Sequence, residues 1–287
     1  MNAISKLVQG SGEWHTYRLT MRNASESAAV LGISPWTTPY QLWLMKTERL
    51  LPAANAAMQR GTELEPAARL AYEIQTGNIM QPLVLQEGAY SASLDGMTLD
   101  GQLIVEIKCP MRGTRSDLWK EVSAGRVPAH YALQIQHQLM VSEAQAAHLW
   151  VFDGTQGLLH LIVRDEAAMT TIHQGWEAFQ RFLEFDTPPP LIDGDTVIRD
   201  DEIWSETATA FLLAKRQAEV TNARLEEIRD QLVRLCRHPR EQGAGVSVTR
   251  YWRAGNVDYK RVPQIQGVDL DPYRGKGRED VRITENK

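Results

Sequence analysis

Three consecutive prolines, Pro188-Pro189-Pro190, constrain this 287-residue chain more than any other run in it. Proline fixes φ and lacks a backbone N–H, so the run ends any helix and favours a stiff, extended spacer. It predicts a first domain over residues 1–187, a linker at 188–190 and a C-terminal appendage over 191–287. Before the prolines, helical and strand patterns alternate. Helices are expected near Ala24–Leu31, from Thr37-Thr38-Pro39 to about Leu51, and over Ala56–Gln75, Ser116–Ser123, Pro128–Val141 and Asp165–Phe185. Strands are expected at Ile79–Gln86, Tyr90–Asp95, Leu103–Cys109, Ala147–Phe152 and Leu158–Arg164. This is the pattern of the α/β (α+β) class. After the prolines, Phe211, Ala214, Ala218, Thr221, Leu225, Ile228, Leu232 and Leu235 recur in alternating steps of three and four. That predicts a long helix or a helical hairpin. Val246–Trp252 and Val257–Val262 around Ala254-Gly255-Asn256 predict a β-hairpin.

Charge and cysteine content exclude several classes. With 31 Lys and Arg against 36 Asp and Glu, the formal net charge is −5. A cationic glove made of the whole protein is excluded, whereas a local basic groove is not, because clefts focus field independently of net charge. Residues 246–287 hold nine Lys or Arg against six acids, so the C-terminal end is locally basic. No stretch approaches the roughly 20 apolar residues of a membrane span, and residues 1–6 lack the layout of a signal peptide. Cys109 and Cys236 are the only cysteines. They read as reduced thiols of a cytoplasmic protein, too few for an iron–sulfur cluster or an all-cysteine zinc site.

The chemistry concentrates in Ser93-Leu94-Asp95-Gly96 and Glu106-Ile107-Lys108. Side chains alternate along a strand, so Ser93 shares a face with Asp95, and Glu106 with Lys108. If the two strands are neighbours across a turn at Asp95-Gly96, two carboxylates and an ammonium converge. Mg²⁺ prefers carboxylate and water oxygens, so the set suits metal-assisted phosphodiester hydrolysis with Asp95 and Glu106 as ligands. The competing reading is a surface ion pair between Glu106 and Lys108, with Asp95 merely opening a turn. Glu63 and Glu65 lie early in a predicted helix, Gln134 and Gln138 share a helix face, and Arg18, Arg22 and Ser25 cluster at a helix start, where phosphate binds readily.

Taken in order, Trp14-His15-x-x-Arg18, Ala24-Ser25-Glu26, Arg60-Gly61-x-Glu63-x-Glu65, Ser93-x-Asp95-Gly96, Glu106-Ile107-Lys108-Cys109-Pro110 and Gln134-x-Gln136 resemble the YqaJ-type viral recombinase (phage lambda exonuclease) family. The resemblance covers residues 10 to 185. It implies a PD-(D/E)xK nuclease core, a central mixed sheet flanked by helices. The implied activity is a Mg²⁺-dependent exonuclease, with Mn²⁺ as substitute and one or two ions per site. Such an enzyme degrades the 5′-ended strand of linear duplex DNA and leaves 3′ overhangs for a single-strand annealing protein. A homotrimeric ring and a phage or prophage origin in a bacterial host follow from the same resemblance. It further implies that Asp95, Glu106 and the Ile107 carbonyl hold metal, and that Lys108 is the catalytic lysine. Glu65 becomes a further acid and Gln134 a residue lining the site. Arg18, Ser25 and Ser93 anchor the 5′-phosphate, and Arg112 or Arg115 meets a downstream phosphate. The chain departs from the family pattern at Leu94, where proline usually precedes the aspartate. The alternatives are a RecB-like or restriction-type endonuclease on the same fold, or a DNA-end-binding scaffold with a degenerate site.

Overall fold

Side-chain caps and glycines mark where the elements begin and end. The structure, a computed structural model, describes residues 2–3, 7, 10–50, 56–253, 255 and 262–268. In chain order the first elements are β1 (Asn2–Ala3), α1 (Gly12–Thr20), β2 (Arg22–Asn23), a 3₁₀ turn (Ala24–Glu26), α2 (Ser27–Val30) and α3 (Pro39–Lys46). There follow α4 (Ala56–Thr76), β3 (Gln81–Glu87), β4 (Tyr90–Met97), β5 (Leu103–Lys108), α5 (Asp117–Ser123) and α6 (Ala129–Ser142). The strands β6 (Ala146–Phe152) and β7 (Gly157–Val163) precede α7 (Glu166–Glu184), α8 (Glu202–Leu235), β8 (Arg240–Gly243) and β9 (Val246–Thr249). Helix α3 starts on a capping box, with the Thr38 hydroxyl accepting from the Gln41 N–H and Gln41 Oε1 accepting from the Thr38 N–H, and with Pro39 in its first turn. No apolar periodicity announces α1, which begins on the Ser11 hydroxyl accepting from the Trp14 N–H at 3.1 Å.

The chain divides into two compact units, Met1–Thr196 and Val197–Lys287. The first contains a seven-stranded mixed sheet in the order β1-β3-β4-β5-β6-β7, with β2 alongside β4. The pairs β2/β4 and β5/β6 are parallel and the other pairs antiparallel. This is the mixed α/β architecture expected from the alternation of patterns. One face of the sheet buries Leu85, Leu94, Ile104 and Leu149 against Ile135 and Leu139 of α6. The other buries Val105, Ile107 and Trp150 against Ala68 and Tyr72 of α4. The Trp150 Nε1–H donates to the Ala68 carbonyl at 3.0 Å and so locks α4 to β6.

Strands β4 and β5 are antiparallel neighbours as expected, but the turn between them lies further along. Asp95-Gly96 is not a turn, because the strand continues to Met97 and the chain reverses over residues 98–102. Gly96 serves packing instead: a Cβ there would lie 2.6 Å from Met80 Cβ and 2.9 Å from Val105 Cγ1. The β3/β4 register runs from Gln81↔Met97 to Leu83↔Leu94, so β4 carries one extra residue around Asp95. An insertion of this kind bends a strand and re-aims its side chains. Pairing of β4 with β5 covers only Gly96↔Val105 and Met97↔Ile104.

In the second unit α8 is one continuous helix of 34 residues. The strand expected from Val246 is present as β9, but it pairs upstream with β8 across Ala244 (φ 49°) and Gly245 (φ 81°). Two successive positive φ values are what a two-residue hairpin turn requires. The strand expected to follow it falls largely on residues 257–261, outside the described residues.

Two outcomes test this packing. A Cβ at Gly157 would lie 2.1 Å from the Trp150 ring, so Gly157→Ala should destabilise by about 1–3 kcal/mol, read as a lower urea midpoint. On α6, His137 is fully buried and bonded to the Ser27 hydroxyl at 2.7 Å. Burial, with His173 adding, lowers its pKa from 6.5 to about 3. Between those values the unfolded chain binds a proton that the folded one excludes. Stability should therefore fall as pH drops below about 6.5, by up to about 1.4 kcal/mol per pH unit. His137→Gln should flatten that slope in denaturant titrations from pH 7 to pH 4.

Candidate active site

The splayed ends of β4 and β5 position the acids. Beyond the Gly96↔Val105 pair the Ile107 N–H donates to the Asp95 carboxylate at 2.7 Å rather than to a ladder carbonyl. Asp95 is 8% and Glu106 2% exposed. Glu106 points at α6, where its Oε1 accepts from Gln134 Nε2 at 2.7 Å and its Oε2 from Gln138 Nε2 at 2.5 Å. Lys108 Nζ donates to Glu106 Oε1 at 2.5 Å and stands 5.1 Å from the Tyr131 ring centroid. The pair is thus part of the site, with Glu106 buried, and not the surface ion pair of the competing reading.

Glu65 arrives from α4. It lies well inside that helix, with Pro66 beside it, and not early in it as expected. Its Oε1 accepts from Arg69, one turn on, and Arg69 Nε donates to the Asp95 carbonyl at 2.7 Å. Burial, then the charges of Glu106 and Glu65, hold the Asp95 carboxyl well above the usual carboxylate range. Burial likewise raises Glu65, against the pull of Arg69. Burial opposes the charge of Lys108, but Glu106 and Asp95 outweigh it and raise that group.

The residues expected to bind phosphate meet this cluster at Ser93, whose carbonyl accepts from Gln138 Nε2 at 3.4 Å. Arg18 donates to the Ser25 hydroxyl at 2.9 Å and to Glu26 at 3.2 Å, and its guanidinium lies 4.5 Å from the Trp14 ring centroid. Trp14 Nε1 in turn donates to the Ser93 hydroxyl at 3.0 Å. Arg18, Ser25 and Ser93 are therefore brought together through Trp14. The Ile107 side chain faces the α4 core. Arg112 and Arg115 are exposed about the 3₁₀ turn Gly113–Arg115 that follows β5.

Sequence reasoning did not assign roles to Arg69, Gln138 or Tyr131. The spacing of Glu65 to Arg69 and of Gln134 to Gln138, each one helical turn, was the available signal.

The donor set fits a hard divalent cation. Two buried carboxylates repel each other, and the Gln138 Oε1 is buried without a hydrogen-bond partner among the described residues. No cluster of three or more His, Cys, Asp or Glu with metal-ligating geometry occurs among the described residues. Two protein carboxylates with the remaining places left to water and substrate is the usual supply for Mg²⁺.

Residues 13–145 match the YqaJ-like viral recombinase domain. The alkaline exonuclease LHK-Exo of Laribacter hongkongensis, for which a complex with dAMP is also solved, is 30% identical to this chain. The two superpose with a TM-score of 0.53 over 61% of this chain and 94% of that one. The chain belongs to the YqaJ-like viral recombinase family. Its first unit has the PD-(D/E)xK nuclease fold of its structural relatives. An uncharacterised Bacillus subtilis protein, YqaJ, is 26% identical over 220 residues, which is 73% of this chain and 64% of that relative's length. The match thus spans less than two thirds of this curated relative. No helix among the described residues is long and apolar enough to cross a membrane.

The raised carboxyl of Asp95 carries a sign. A carboxyl whose folded-state pKa is raised opposes folding once ionised, and that cost fades as pH falls below the folded value. Asp95→Asn should therefore stabilise the cation-free protein at pH 7 by about 1 kcal/mol. Mg²⁺ should raise the melting temperature of the unsubstituted chain and EDTA should reverse that rise, and Asp95→Asn should abolish it.

Proposed function

We propose that the chain is a Mg²⁺-dependent 5′-to-3′ exonuclease of linear double-stranded DNA. The observation that carries this reading is the buried Asp95–Glu106 pair with Lys108 against it, reached through Ser93 from the Arg18–Ser25 pair. Asp95 and Glu106, with the Ile107 carbonyl, would hold the cation, and Mn²⁺ would substitute for Mg²⁺. When bound, the cation supplies an acidified water and neutralises charge on the reacting phosphodiester. Lys108 donates from its ammonium to the oxygens where negative charge develops. Gln134 and Gln138 orient Glu106 through its two oxygens. Glu65 adds an acid for a second cation or its water, held in place by Arg69.

Arg18, Ser25 and Ser93 offer one guanidinium and two hydroxyls to a terminal 5′-phosphate, the donor types that anions select. With Arg112 or Arg115 on a downstream phosphate, the strand would run from this pocket across the acids. Family membership supports the rest of the reading: a homotrimeric ring around the duplex, encoded by a phage or prophage and working in the bacterial host cell. Its 3′ overhangs would pass to a single-strand annealing protein. A ring with its basic side turned inward reconciles a net charge of −5 with a polyanionic substrate.

Linear duplexes labelled at either end, with and without a 5′-phosphate, test polarity, end recognition and metal need together. Loss of label should begin at the 5′-phosphorylated end, require Mg²⁺ and leave closed circles intact. Lys108→Ala should reduce kcat by about 10²–10³-fold. Nicking of closed circular DNA would replace this reading with an endonuclease.

A further inference from the structure

One large aromatic stands on the surface beside the acidic cluster without belonging to it. Trp36 lies in the loop between α2 and α3 and is 66% exposed, although tryptophan is on average highly buried. It is nonetheless held in place. The Ser34 hydroxyl accepts from the Trp36 and Thr37 N–H groups, each at 3.2 Å. The indole meets His130 edge to face, centroids 4.8 Å apart at 84°, and lies 5.8 Å from Tyr131. Tyr131 is the ring beside the Lys108 ammonium. Trp36 is therefore one ring removed from the active-site lysine, supported from behind and open in front.

We propose that Trp36 stacks on a nucleobase close to the scissile phosphate and so positions the strand over Asp95 and Glu106. This rests on the nuclease reading above. Bases in a duplex strand rise by about 3.4 Å per step, so a platform one ring from Lys108 reaches the first few nucleotides. Stacking suits an enzyme that must accept every sequence, since each base offers a π face whatever its hydrogen-bonding edge. The aromatic support fixes the indole before substrate arrives, which lowers the ordering cost of binding.

The test compares the full chain with its Trp36→Ala and Trp36→Phe variants on 5′-phosphorylated linear duplexes in Mg²⁺. Trp36→Ala should raise KM about tenfold with a smaller change in kcat, at unchanged melting temperature, and Trp36→Phe should recover most of the loss. Single abasic residues placed at each of the first positions of either strand identify the stacked base. At one position the lesion should raise the KM of the unsubstituted enzyme and leave that of Trp36→Ala unaffected. An active enzyme whose KM is the same in Trp36→Ala overturns the proposal alone. So does an abasic series that adds equally to both proteins, the result expected if Trp36 only supports Tyr131 or binds a protein partner. Inactivity of the unsubstituted chain on every duplex overturns the nuclease reading and this proposal with it.

Discussion

Where β4 and β5 stop pairing, the backbone N–H of Ile107 would be left without a strand partner, and the Asp95 carboxylate takes it. An unpaired buried N–H costs about as much as a lost hydrogen bond. The strands can therefore splay only because a side-chain acceptor of that length stands there. β5 remains paired with β6 throughout, from Leu103↔Ala146 to Lys108↔Val151, so the opening is made on one side only. It leaves Glu106 and Lys108 on a strand held by β6, while Asp95 comes from β4.

Helix α6 answers the opening from across the core. Tyr131, Gln134 and Gln138 lie along one of its faces and meet Lys108 and both oxygens of Glu106. Its neighbouring buried polar residues face elsewhere: Gln136 bonds the Val163 carbonyl and the Asp165 N–H, and His137 meets Ser27. Each contact ties the helix to a different element. The angular placement of the glutamines is thus fixed by bonds outside the site, the kind of support that holds an active constellation to its geometry.

Strands and helices with strong periodicity were legible in the sequence, and so was the convergence of Asp95, Glu106 and Lys108, because alternation along a strand is a local property. What was not legible depends on distant partners. Gly96 has the composition of a turn, yet its role is set by Met80 and Val105, which crowd it from neighbouring elements. Arg69 is an ordinary helical arginine until α4 crosses β4 and brings it to the Asp95 carbonyl. At the C-terminal end Ala244-Gly245, a turn the sequence reading did not single out, pairs β9 with β8. Helix α1 rests on a single serine cap and buries no residue, so it leaves no apolar period to read.

Thr38 caps α3 with its lone pair and spends its proton on the Asp195 carboxylate, beyond the three prolines. Asp195 also accepts from the Ile192 N–H. Residues 192–195, at the end of the first unit, are therefore clasped to the start of α3. A fragment meant to isolate the nuclease fold keeps this clasp only if it runs through Asp195, and one trimmed at the prolines frees the N-terminal turn of α3 from its outer partner. Composition marks a place where the chain stiffens, and the clasp marks where the first unit ends.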